Sequence, residues 1–95
     1  MTIHPKINKA LFLLEKGKPP DAETLLREAL HEAGITHDEN NALRAACILG
    51  DLLYGAGREH EARSYLERVA GAKRDDDTLD YEIRRAKELL EELNS

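Results

Sequence analysis

Cysteine is almost missing from this sequence: Cys47 stands alone, so no internal disulfide and no multi-cysteine metal site can form. Tryptophan is absent, and the aromatic residues are only Phe12, Tyr54, Tyr65 and Tyr81, too few for a typical all-β sandwich. The longest apolar run, Ala10-Leu11-Phe12-Leu13-Leu14, falls far short of the roughly 20 residues that span a bilayer. The N-terminus lacks the order of basic start, apolar stretch and small-residue cleavage site that marks a secretory signal. A reducing, cytoplasmic setting without membrane partners is therefore the expectation. Basic excess is missing too. With 19 acidic and 14 basic side chains the net charge is −5, a sign that repels phosphate backbones and disfavours nucleic-acid partners.

What the chain does contain is helix-forming sequence. Its 95 residues suffice for one domain with a thin core. Ala, Leu, Glu, Arg and Lys dominate, and all five are strong helix formers. Glycines and prolines cut the chain into five helical stretches, and no stretch reads as a strand.

Pro5 fits a first helical turn, Ile7, Ala10, Leu11 and Leu14 share one face, and Gly17 ends the helix. Pro19-Pro20 opens a second helix with Asp21 and Glu23 near its positive end. Its stripe is Ala22, Leu25, Leu26, Ala29, Leu30 and Ala33, and Gly34 is the expected stop. Thr36-His37-Asp38-Glu39 has capping-box spacing, which predicts a third helix from near His37 to Ala56 with Thr36 as cap. Leu43, Ala46, Cys47, Leu49, Leu53 and Tyr54 lie on its apolar face; Gly50, inside it, calls for a close-packing reason. A fourth helix is expected from about Glu59 to Ala70, with Ala62, Tyr65, Leu66 and Val69 inward and Gly71 as terminator. After a polar connector, Asp77 or Thr78 can cap a last helix striped by Leu79, Ile83, Ala86, Leu90 and Leu93.

Placing the first two helices over the next two gives a constant offset of 40 residues. Gly17 falls on Gly57, Ala22 on Ala62, Leu26 on Leu66, Leu13 on Leu53 and Leu14 on Tyr54. Small residues recurring where helices must approach, and large ones where an interface must be filled, mark stacked helical hairpins.

Leu49-Gly50, then Leu53-Tyr54, then Gly57, Ala62 and Leu66 stand at a spacing that resembles the tetratricopeptide repeat. Ala10, Leu13, Gly17, Ala22, Leu26 and Ala29 carry the same likeness in the first unit. The resemblance covers roughly residues 3–72. It implies an all-α fold of antiparallel hairpins in a short superhelix: one repeat over about 3–34, a second over about 37–72, and a capping helix over about 77–94. The sequence departs from the family at Ala46, where Trp is common, at Lys9 in place of Leu, and at Arg74 in place of Pro. The period also exceeds the usual 34, which points to a longer third helix or a longer 34–41 loop; armadillo-like repeats, with periods near 40, compete for the assignment.

Catalytic and metal readings find little support. His31-Glu32 is followed at the fourth position by Ile35, and His60-Glu61 by Ser64, so neither forms the paired-imidazole motif of a zinc protease. Cys47, in mid-helix, lacks the helix N-terminus that would activate a thiol and reads as a packing residue. Ser64 has no glycine-flanked elbow, and Asp75-Asp76-Asp77 lacks the glycine and distal glutamate of a calcium loop. No cofactor, no metal and no enzyme activity are expected.

The resemblance implies instead a groove lined by the first helix of each pair. By repeat register this assigns Ile7, Asn8, Leu11 and Leu14 from the first helix. The third supplies Arg44, Cys47, Ile48, Asp51 and Tyr54, and the last adds Tyr81, Glu82 and Arg85. Some of these apolar positions are also open to a reading as core. The clamp with which one subfamily grips a C-terminal carboxylate would fall on Ile7, Leu11, Ile48 and Glu82, none of them suited to it. The expected function is a protein-interaction adaptor or small chaperone that binds a peptide or helix of a partner. The alternative is a self-associating structural module, a homo-oligomer such as a homodimer, with the last helix's apolar stripe free either to pack on its own domain or to pair with a second copy. A nucleic-acid site at Arg84, Arg85 and Lys87 is opposed by Glu82, Glu88, Glu91 and Glu92 around it.

Overall fold

The computed structural model describes residues 3–95. Five α-helices account for most of them: α1 (Pro5–Glu15), α2 (Pro19–Ile35), α3 (Glu39–Gly55), α4 (Glu59–Ala70) and α5 (Asp80–Leu93). No strand occurs among the described residues. Each helix packs on its successor, and α5 also packs on α3, giving a slab of 35 × 35 × 20 Å.

Three of the four connections are the same turn. In the first, Gly17 takes φ 73°, its N–H donates to the Leu14 carbonyl (3.1 Å), and Lys18 N–H donates to the Leu13 carbonyl (2.9 Å). Gly57 takes φ 79° and repeats the pattern onto Tyr54 and Leu53. His37, halfway between them in sequence, does so at φ 58° onto Gly34 and Ala33. A left-handed residue two past the helix end lets two N–H groups satisfy carbonyls that the last turn leaves orphaned.

This arrangement corrects two expectations. Gly34 does not stop α2, which runs one residue further and turns at His37. Thr36 is the residue after α2 rather than the cap of α3, and its hydroxyl donates to the Glu32 carbonyl (3.1 Å). Asp38 caps α3, accepting from Asn41 N–H at 3.2 Å. The capping-box spacing misled because the three-residue turn needs Thr36 and His37 to reverse the chain. There is no longer 34–41 loop either. α2 and α3 are each 17 residues long, with residues 36–38 between them.

The last connection is longer and built differently. Leu79 is fully buried and occupies the position before α5, with no side-chain cap, so the expected caps Asp77 and Thr78 lie outside the helix. Asp76 accepts instead from Thr78 N–H (3.0 Å). Burying Leu79, worth roughly 1.5–3 kcal/mol, outweighs a cap worth about 1 kcal/mol, and this sets where α5 begins.

The core runs between the helices as a seam of small residues filled by leucines. Ala10, Ala22, Ala46, Ala62 and Ala86 are fully buried, with Leu26, Leu49, Leu53, Leu66 and Val69 around them. At Gly50, α3 and α4 approach closely: a Cβ there would lie 2.7 Å from Leu66 Cδ2 and 2.9 Å from Cγ. Ile7, Ala29 and Ala45 form a smaller cluster joining α1, α2 and α3. α5 buries Ala86 and Leu89, with Ile83, Leu90 and Leu93 half-buried beside them.

Polar residues tie the helix ends together. His4 caps α1, its Nδ1 accepting from Lys6 N–H (3.1 Å), and His4 N–H donates to Oδ1 of the buried Asn41 (3.1 Å). Asn41 Nδ2 donates to Asp38 at 2.7 Å, so one amide links the start of α1 to the cap of α3.

Candidate functional site: a cleft between alternate helices

A cleft of about 500 Å³ opens where α1, α3 and α5 face one another. Its α1 side is Ile3, Ile7, Leu11 and Leu14; its floor is Arg44, Cys47, Ile48, Asp51 and Leu52 of α3; its far wall is Tyr81, Glu82 and Arg85 of α5. Helical periodicity explains the sets. Ile7, Leu11 and Leu14, like Arg44, Ile48 and Asp51, are spaced by three or four residues and so share a face.

Three elements hold this geometry. Ile7 is 1% exposed and anchors α1 to α2 and α3, whereas Leu11 is 40% exposed and stands free in the cleft. Arg85 donates through Nε and a terminal nitrogen to the two carboxylate oxygens of Asp51, both at 3.2 Å, which clasps α5 to α3. Arg44 pairs with Glu82 at 3.8 Å as a second link between the same helices. Hydrogen bonding to Asp51 raises the pKa of the Arg85 guanidinium, a group already charged at any working pH.

Between these pairs lies Cys47, 4% exposed, whose thiol donates to the Glu82 carbonyl at 3.6 Å. Burial pushes the thiol up to about 12, with the Glu82 and Asp51 charges adding to it. The protonated thiol is a poor nucleophile.

Of the residues assigned from sequence, the cleft brings together Ile7, Leu11, Leu14, Arg44, Cys47, Ile48, Asp51, Tyr81, Glu82 and Arg85. Two stand apart. Asn8 is exposed on α1 and does not line it. Tyr54 lies past the cleft, half-buried, with its hydroxyl donating to Glu92 at 2.6 Å; that bond raises the Tyr54 pKa. Ile3 and Leu52 were missed, although each lies four residues from an assigned one, Ile7 and Ile48.

The competing surfaces fare differently. The α5 stripe packs onto the domain's own core, with Leu79 and Ala86 buried and Ile83, Leu90 and Leu93 half-buried. Arg85 is turned to Asp51, while Arg84 and Lys87 share their surface with Asp80, Glu88 and Glu91. That field is mixed in sign. Far from the cleft, Glu23, Arg27, Arg58, Glu61 and Tyr65 form a network joining α2 and α4, with Arg58 to Glu23 and to Glu61 both at 2.7 Å. Hydrogen bonds from Arg58 first, and then from Arg27, hold the Glu23 carboxyl below its ordinary range.

The fold is all-helical, and none of its helices is long and apolar enough to cross a membrane among the described residues. No family model, no curated protein and no solved structure matches this chain.

Proposed function

We propose that this chain is a non-catalytic protein–protein interaction module of tetratricopeptide type, an adaptor or small chaperone, whose cleft holds a peptide or helix of a partner protein. The observation that carries the reading is the cleft itself. Three alternate helices present one apolar trough, and Leu11 and Tyr81, 40% and 65% exposed, stand on opposite walls of it. Its volume lies within the roughly 300–1,000 Å³ of ordinary binding sites.

The repeat reading is supported by Ala22 and Ala62, both fully buried at the same place in α2 and α4, and by Leu26 and Leu66 beside them. The turns at Gly17, His37 and Gly57, spaced by twenty residues, support it further. A binding rather than catalytic role accords with the protonated state of Cys47, the one thiol in the cleft. A lone, buried free thiol also suits a reducing, cytoplasmic setting.

The test is site-specific photo-crosslinking in the native host, with the reactive group placed at position 11, 81 or 68. The expected result is one shared protein captured from positions 11 and 81 and absent from position 68, which is exposed on α4. Capture from position 68 alone would contradict the proposal.

A further inference from the structure

The cleft's charged residues cancel one another, and from this we infer that its ligand is the apolar stripe of an amphipathic helix, with the Asp51–Arg85 pair setting that preference. The inference rests on the binding role proposed above. Among the described residues two cations and two anions line the cleft: Arg85 is engaged by both oxygens of Asp51, and Arg44 faces Glu82. This part of the lining therefore carries no net charge with which to select an acidic or a basic peptide. What it offers is apolar area, from Leu11, Leu14, Ile48 and Leu52.

Backbone hydrogen bonding separates a helical ligand from an extended one. An extended peptide brings unpaired N–H and C=O groups, and burying each without a partner is costly. The cleft walls are helices, whose backbone groups are already bonded within themselves. The side chains best placed to serve such a peptide are committed to each other, and the Cys47 thiol is committed to the Glu82 carbonyl. A helical ligand satisfies its own backbone and presents only side chains at positions i, i+3, i+4 and i+7. The preference follows from the walls as much as from the charge.

The test uses the full chain and three synthetic peptides. One is an uncharged amphipathic helix with leucines at that spacing, the second has the same composition with the leucines scattered and prolines inserted, and the third is the amphipathic helix with glutamates flanking its stripe. Binding is followed by methyl shifts of Leu11, Leu14 and Ile48, and by circular dichroism of the peptide. The first peptide should bind at the cleft, gain helicity, exceed the second by at least tenfold, and keep its affinity between about 50 and about 500 mM salt. In Asp51→Asn, Arg85 loses its two hydrogen bonds to a carboxylate and keeps the looser pair with Glu88 at 3.8 Å, so the acidic peptide should gain roughly tenfold while becoming salt-sensitive. An unchanged α-helical spectrum and melting behaviour would show that this variant folds. Tighter cleft binding by the proline-containing peptide would overturn the inference and leave the binding role standing. If no peptide moved the cleft methyls, both would fall. An Asp51→Asn variant with unaltered preference would overturn the part of the inference that assigns the preference to the Asp51–Arg85 pair.

Discussion

At the scale of single residues, backbone conformation decides more than side-chain chemistry. His37 occupies the left-handed position that Gly17 and Gly57 fill in the two matching turns. A side chain there costs about 1 kcal/mol, because its Cβ crowds the following carbonyl. His37→Gly should therefore stabilise the protein by about 0.5–1 kcal/mol, read as a higher denaturation midpoint with an unchanged slope. Gly50 and Gly34 form a contrasting pair. Both are helical, but a Cβ at Gly34 meets nothing within 4 Å, while one at Gly50 runs into the fully buried Leu66. Gly34→Ala should gain up to about 1 kcal/mol of helix propensity. Gly50→Ala should lose about 1–2 kcal/mol, since the clash, typically 1–3 kcal/mol, exceeds that gain. Parallel urea titrations of the two variants would separate them, and equal shifts would contradict the close approach of α3 and α4.

At the scale of elements, much of the fold was legible and the exceptions have physical causes. Apolar periodicity placed all five helices, and α4 begins and ends at the residues expected, Glu59 and Ala70. Helix ends were less legible where two signals competed. Thr36 and Glu39 spelled a cap, but the chain reversal claimed Thr36, and Asp38 took the capping role. The apolar stripe included Leu79, but no local pattern shows that it would sit ahead of α5, as the residue before its first turn, with the expected caps Asp77 and Thr78 left outside. Leu89 is a further case: the stripe drawn through Leu90 and Leu93 omitted it, yet it is 1% exposed while Leu90 is half-buried. Leu89→Ala should cost about 2–5 kcal/mol, whereas Leu90→Ala should cost visibly less, as thermal denaturation of the two would show. The cleft residues were legible to the extent that helical register is. Periodicity puts Ile7 and Leu11 on one face of α1, and Arg44, Ile48 and Asp51 on one face of α3; that the two faces belong together comes from the repeat resemblance. The Asp51–Arg85 pair joins α3 to α5 across 34 residues of chain, and nothing local to either residue announces it.

At the scale of the whole molecule, packing supplies the stability and carboxylates modulate it. Glu23, Glu61 and Asp38 all have pKa values lowered in the fold, the first two chiefly by Arg58 and the third by the side-chain amide of Asn41. A carboxyl whose folded pKa lies below its unfolded one contributes stability above the unfolded value, and that contribution disappears as pH falls through the folded one. The melting temperature should thus hold steady from pH 7 to about 5 and fall below the ordinary carboxylate range of about 4 to 4.5. Salt should blunt the difference, because these pairs lie at the surface.

The claim on which the functional account depends is that α1, α3 and α5 enclose one cleft, and a nitroxide can test it. Leu11→Cys places a reactive thiol on the cleft wall, while the native Cys47 is protected by burial. With the label attached at position 11, the amide resonances of Ile48, Asp51, Tyr81 and Arg85 should broaden, and those of Ser64 and Arg68 on α4 should stay sharp. Sharp signals at Tyr81 and Arg85, with broadening on α4 instead, would contradict the cleft and the binding role built on it.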